Sequence, residues 1–167
     1  VTLNPIAHLD PLGFLMICIM VFSGVGLGWG KPVMVRPDKM RNPRWDHFAS
    51  VLAGPLMNFV LCFIACMVIR LFPIDLQSHF GIFISLLASL NAGLMMFNLI
   101  PLGPLDGHWL VGAFLPDPIR FQWYRFNQSI GSFVLLGIIF IPQLREAVLG
   151  NFVYGLADSL IRLFLGK

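Results

Sequence analysis

Phe97-Asn98-Leu99-Ile100-Pro101-Leu102-Gly103-Pro104-Leu105-Asp106-Gly107 closes a run, residues 80–105, in which no side chain carries a charge. Such a run is long enough to cross a bilayer as helix, which takes roughly 20 residues. Asp106 stands where it stops. An ionisable group at the edge of a hydrocarbon layer is expensive, so by default it marks a functional site. The prolines before it free backbone carbonyls and bend the chain, which places the carboxylate on an irregular segment buried in protein. Read alone, Asp106 serves equally well as a turn former or as the cap of a following helix.

Working outward, three further stretches have the same character. Residues 11–30, 48–69 and 126–144 are apolar and nearly free of charge. Over the whole chain 57% of residues are hydrophobic and only 11% are charged, with a mean hydropathy of +0.83. About a quarter charged is usual for soluble domains. Lipid satisfies no backbone hydrogen bond, so each span must be helical. The expectation is an all-α membrane protein, a polytopic bundle of about four transmembrane helices in a single domain over residues 1–167. A short helix after Asp106, stopped by Pro116-Asp117-Pro118, and a C-terminal amphipathic helix over residues 147–167 complete it. That last helix either lies in the interface or makes a short span.

Local features refine the spans. Gly24, Gly26, Gly28 and Gly30 suit close backbone approach better than a straight helix, so the first span ends near Phe22 or Ser23. Residues 31–37 alternate enough for a short extended segment. Pro55 is expected to kink the second span, beside the small residues Ala53 and Gly54 that favour tight packing. Pro142 bends or ends the fourth.

The net charge of +3 is concentrated. Lys31, Arg36, Lys39, Arg41 and Arg44 share one loop, which marks residues 31–46 as cytoplasmic and returns Asp106 to the cytoplasmic side. No basic element interleaved with aromatics is present to read bases, so no nucleic-acid partner is expected. Cys18, Cys62 and Cys66 all fall in spans. Cys62 and Cys66, one turn apart, imitate a ligand pair but read better as small buried hydrophobes.

The chain resembles the site-2 protease family of intramembrane zinc metalloproteases, small bacterial type. The resemblance rests on several stretches in the family's order. Thr2-Leu3-Asn4-Pro5 with His8-Leu9-Asp10-Pro11-Leu12-Gly13 looks like the segment after the first zinc-binding helix. Gly28-Trp29-Gly30-Lys31-Pro32-Val33 and Arg41-Asn42-Pro43-Arg44 look like the central loop. Ala53-Gly54-Pro55-Leu56-Met57-Asn58 looks like the next membrane helix, and Asn98 to Gly107 like the Asn-Pro-Asp-Gly signature.

The resemblance implies zinc as cofactor, with Asp106 as the third, oxygen ligand. It implies peptide-bond hydrolysis within the membrane, a membrane-embedded protein as substrate, and a bacterial inner membrane as location. Asn98 and Asn58 become candidates for binding the substrate backbone or orienting Asp106, against the plainer role of interhelical hydrogen bonding. One departure is decisive. Such a protease needs His-Glu-x-x-His on a helix, and His8, His47, His79 and His108 form no such motif. The expectation is that the chain starts after it, so no catalytic residue lies in these residues. A site from Asp106, His108 and His8 would still lack a base, because Glu146, the only glutamate, sits at the far end of the fourth span. By itself this chain is not expected to hydrolyse peptides. Two rivals follow: an inactive pseudoprotease acting as membrane scaffold or subunit of a larger assembly, and a small transporter using Asp106 as a cation site.

Overall fold

The computed structural model describes residues 40–166. The readings placed on His8, on the span at 11–30 and on the extended segment at 31–37 lie outside the described residues.

Helix α1 (Pro43–Leu71) starts where it does because Pro43, in its first turn, has no N–H to leave unpaired. Asp46 reinforces that turn, its Oδ2 accepting from the Asn42 backbone N–H at 3.0 Å. The helix runs on through Pro55 and stops at Phe72, which is extended before Pro73. Helix α2 (His79–Asn98) is capped by Ser78, whose Oγ accepts from Gly81 N at 3.0 Å and donates to the Asp75 carbonyl at 2.6 Å.

Helix α3 (Asp106–Phe114) confirms the short helix after Asp106. Pro116-Asp117-Pro118 stops it as expected, and the same residues begin helix α4 (Asp117–Phe126), with Pro118 in its first turn. A π-helical turn (Asn127–Gly131) carries α4 into α5 (Ser132–Phe140). Ile141 then turns extended, and α6 (Pro142–Arg145), a π-helical stretch (Glu146–Tyr154) and α7 (Gly155–Leu165) follow. Gly166, at φ 73°, closes α7 in the left-handed conformation that glycine tolerates.

All the regular structure of the described residues is helical, with no strand among them. Among the described residues three helices are long and apolar enough to cross a membrane: Pro43–Leu71, His79–Asn98 and Pro142–Leu165. The first two answer to the spans read at 48–69 and 80–105. The third takes in the tail. Residues 126–144 are helical apart from a break at Ile141, where Pro142, which has no N–H to donate, ends the fourth stretch as expected and opens the next helix. The tail thereby gains a helix of 24 residues, long enough to span.

The core is built from small residues. Cys62, Ala65 and Cys66 of α1 meet Ile84, Ala88 and Ala92 of α2 and Ala157 of α7, all buried. Lipid tails are as apolar as leucine, so membrane helices associate by close packing of such residues. Arg70 ties the far end, donating from Nη1 to the Phe164 carbonyl at 3.1 Å, while Phe59 and Phe63 pack edge-on against the Phe164 ring. Large residues point outward: Leu90, Phe133 and Phe140 are 62%, 72% and 77% exposed, an apolar surface suited to lipid. A second buried cluster, Ile100, Leu105, Leu135 and Val153, seats the segment that leads to Asp106.

Candidate active site

The chain between α2 and α3 is irregular but tightly held. Leu99 caps α2, with its N–H bonded to Met95 O at 3.1 Å. The next turns close by Ile100 N to Phe97 O (3.1 Å), Leu102 N to Ile100 O (2.8 Å) and Leu105 N to Leu102 O (2.9 Å). The Gly103–Pro104 peptide is cis. Gly103 N donates to Oδ1 of Asn127 at 2.7 Å, and Asn127, 1% exposed, donates from Nδ2 to Trp123 O at 3.0 Å. Gly131, one turn on, has its α-carbon against the Gly103 backbone, where a β-carbon would sit 2.8 Å from Gly103 O. Two glycines and one buried amide thus clamp the loop to the π-helical turn.

Asp106 is the first residue of α3, and the cap position belongs to Leu105, with no side-chain capping bond. Asp106 thus stands in the first turn of the helix and not at its cap. Gly107 sits directly on the carbonyls of Leu99 and Ile100, where no β-carbon fits. The half-buried carboxylate faces α1: a β-carbon built on Gly54 would lie 3.4 Å from Asp106 Oδ2. Asp106 has no hydrogen-bond or ion-pair partner among the described residues. Burial pushes its carboxyl above the usual range, with His108 opposing.

His108 is buried at 3% exposure, its Nδ1 donating to the Leu105 carbonyl. Burial holds its imidazole below the usual range, against the opposing pull of that carbonyl and of Asp106. Its ring lies 4.6 Å from Trp109 and meets Tyr124 edge-on at 6.3 Å, while His47 of α1 meets Trp109 edge-on at 4.9 Å. Trp123 Nε1 donates to the His108 carbonyl at 2.8 Å. Gly112 carries no side chain because the Tyr124 ring occupies that space.

Asn98 is the last residue of α2 and is partly buried; Asn58, also partly buried, lies one turn beyond Gly54 on α1. Neither amide bonds another described side chain or carbonyl. Cys62 and Cys66 are fully buried between helices, as small hydrophobes. His8 lies outside the described residues.

The chain is 32% identical over 170 residues to "Putative zinc metalloprotease YwhC" of Bacillus subtilis, an alignment covering 98% of this chain and 74% of that protein. The chain belongs to that metalloprotease family. A second metalloprotease relative, "Putative zinc metalloprotease sll0528" of Synechocystis, is 37% identical over 140 residues, 75% of this chain and 36% of the relative. No family model and no solved structure matches the chain.

For a zinc metalloprotease the donor inventory is short. Asp106 offers a carboxylate oxygen with no competing bond among the described residues, of the type zinc accepts. Among the described residues no three of His, Cys, Asp or Glu converge on one point. Sequence reading missed Asn127, Trp123 and Gly131. Gly103 and Asn127 are 24 residues apart, and nothing in either local pattern announces the bond between them.

Proposed function

We propose that this chain is the membrane-embedded part of an intramembrane zinc metalloprotease of the site-2 type, with Asp106 as its carboxylate ligand. The observation that carries the reading is the half-buried carboxylate of Asp106, held opposite Gly54 and without a partner among the described residues. Family membership and three helices of membrane-crossing length support it. A buried acid normally finds a hydrogen-bond donor or loses its charge. A cation at that place favours the ionised form. The clamp of Gly103, Asn127 and Gly131, with Gly107 seated on the preceding carbonyls, fixes the carboxylate against drift. Asn58 and Asn98 carry amides without a side-chain hydrogen bond among the described residues, which suit an extended substrate backbone.

In such enzymes the metal supplies Lewis-acid activation of water and of the scissile carbonyl. The two histidine ligands and the glutamate base belong to a His-Glu-x-x-His helix that these 167 residues do not hold. The substrate is a membrane-embedded protein segment, and the location a bacterial inner membrane with residues 31–46 on the cytoplasmic side.

The test is zinc content by mass spectrometry on protein purified from its native membrane, paired with intact mass and with Asp106→Asn. About one zinc per chain, lost in Asp106→Asn, is the expected result. Absence of zinc from the unaltered protein would overturn the reading and favour a catalytically inactive scaffold. Equal zinc in both forms would remove Asp106 from the ligand set.

A further inference from the structure

Where α1 begins and α3 meets α4, a cavity of about 350 Å³ opens, with Arg44, His47, Trp109, Arg120 and Tyr124 among its lining residues. The geometry points to a binding site for the phosphate of an anionic phospholipid headgroup. This inference does not depend on the protease reading.

The charge at the cavity is unbalanced. Arg44 spends Nε and Nη2 on the last carbonyls of α3, Ala113 at 2.6 Å and Leu115 at 3.0 Å. Its Nη1 stands 4.0 Å from Asp117 Oδ1, the same oxygen that pairs with Nη2 of Arg120. One carboxylate, 76% exposed, therefore serves two guanidiniums. Arg120 lines the cavity, and its Nη1 has no acceptor among the described residues; that nitrogen faces away from water, so a phosphate takes it by a turn of the guanidinium into the cavity. A guanidinium with a free N–H is the preferred partner of a phosphate oxygen, since its planar fork matches that geometry. His47 and Tyr124 add ring nitrogens and a phenolic hydroxyl to the lining.

The surroundings select a lipid as the source of that phosphate. Helix α4 interleaves arginines with exposed apolar residues: Ile119, Phe121 and Phe126 are 54%, 69% and 43% exposed. Such a short amphipathic helix lies in the membrane interface. Beside the cavity, Trp45 and Phe114 are 44% and 66% exposed and meet each other and Phe48 edge-on. Arg44 lies over the Trp45 ring at 5.6 Å. Exposed aromatics bordering paired arginines suit an amphiphile with acyl chains on the rings and its phosphate at the guanidiniums.

Native mass spectrometry of the intact protein in detergent, titrated with phosphatidylglycerol, phosphatidylcholine or inorganic phosphate, tests this. Phosphatidylglycerol should bind at least about tenfold tighter than phosphatidylcholine. Arg120→Gln should weaken it by about tenfold, the scale of a lost charge-assisted bond. Arg125→Gln, on the same helix but outside the cavity lining, should leave it unchanged. Asp117→Asn, which removes the competing carboxylate, should tighten it, and this variant carries the test if Arg120→Gln fails to fold. Equal affinity for the two lipids, or equal losses in Arg120→Gln and Arg125→Gln, would overturn the site. Displacement of phosphatidylglycerol by millimolar inorganic phosphate would overturn the lipid assignment.

Discussion

Gly54 of α1 and Asp106 of α3 face each other so closely that a β-carbon on the glycine would stand 3.4 Å from the carboxylate Oδ2. The empty side of the glycine is thus the space in front of the acid. Gly54→Ala brings only an ordinary van der Waals contact and should preserve fold and zinc content. Gly54→Leu fills that space with a branched side chain and should displace whatever the carboxylate holds. The expected outcome is a loss of zinc by metal analysis, with thermal unfolding shifted by no more than a few degrees. Normal zinc in Gly54→Leu would show that the metal lies elsewhere.

Gly107 makes a different demand. A β-carbon there runs into the Leu99 and Ile100 carbonyls, which are backbone and give little. Gly107→Ala should therefore cost about 1–3 kcal/mol, the scale of overpacking, despite alanine's better helix propensity. Gly137 of α5 is the control, because nothing lies within 4 Å of its missing β-carbon. Gly137→Ala should be neutral or stabilising by up to about 1 kcal/mol. Unfolding in a denaturing detergent, compared between the two variants, checks the contrast.

Asn127 holds the loop before Asp106 with both ends of its amide. Asn127→Ala strands the Gly103 N–H in a buried place, at a cost of about 1–3 kcal/mol. Asn127→Asp keeps the acceptor for Gly103 but loses the bond to Trp123 O, and it buries a charge. Both should lower stability, and both should loosen zinc at Asp106 more than a destabilising change in the α1–α2 seam of equal size, such as Ala88→Gly. Zinc affinity measured by chelator competition separates the two effects. Equal affinity in the Asn127 and Ala88 variants would reduce Asn127 to a purely structural role.

The contrast between these residues shows what the sequence displays. Asp106 is conspicuous because a single charge ends an uncharged run, and hydrocarbon makes any charge expensive. The helices of residues 43–71 and 79–98 are equally plain, since a span is a one-dimensional property of length and hydropathy. The last membrane-length helix was harder. Pro142 is legible as a breaker, but a break and a helix start share the same residue chemistry, and the choice falls to tertiary packing. The Asn127 clamp and the proximity of Gly54 to Asp106 are contacts between distant segments, which no local pattern encodes.

Cys62 and Cys66 provide the last test, because their spacing imitates a metal-ligand pair. Both are fully buried in the seam where α1 meets Ala88 and Ala92 of α2 and Ala157 of α7. Their thiols fill space between helices that approach closely on small residues. Replacing either by Ala leaves a void of about one sulfur atom and should cost about 1 kcal/mol, with zinc content unchanged. Replacing Cys66 by Leu should be far worse, since the facing alanines leave no room to repack. In the folded protein a maleimide should label neither thiol, and both should react once the helices are separated in hot detergent. Loss of zinc in Cys62→Ala or Cys66→Ala at unchanged stability would instead make the pair part of the metal site.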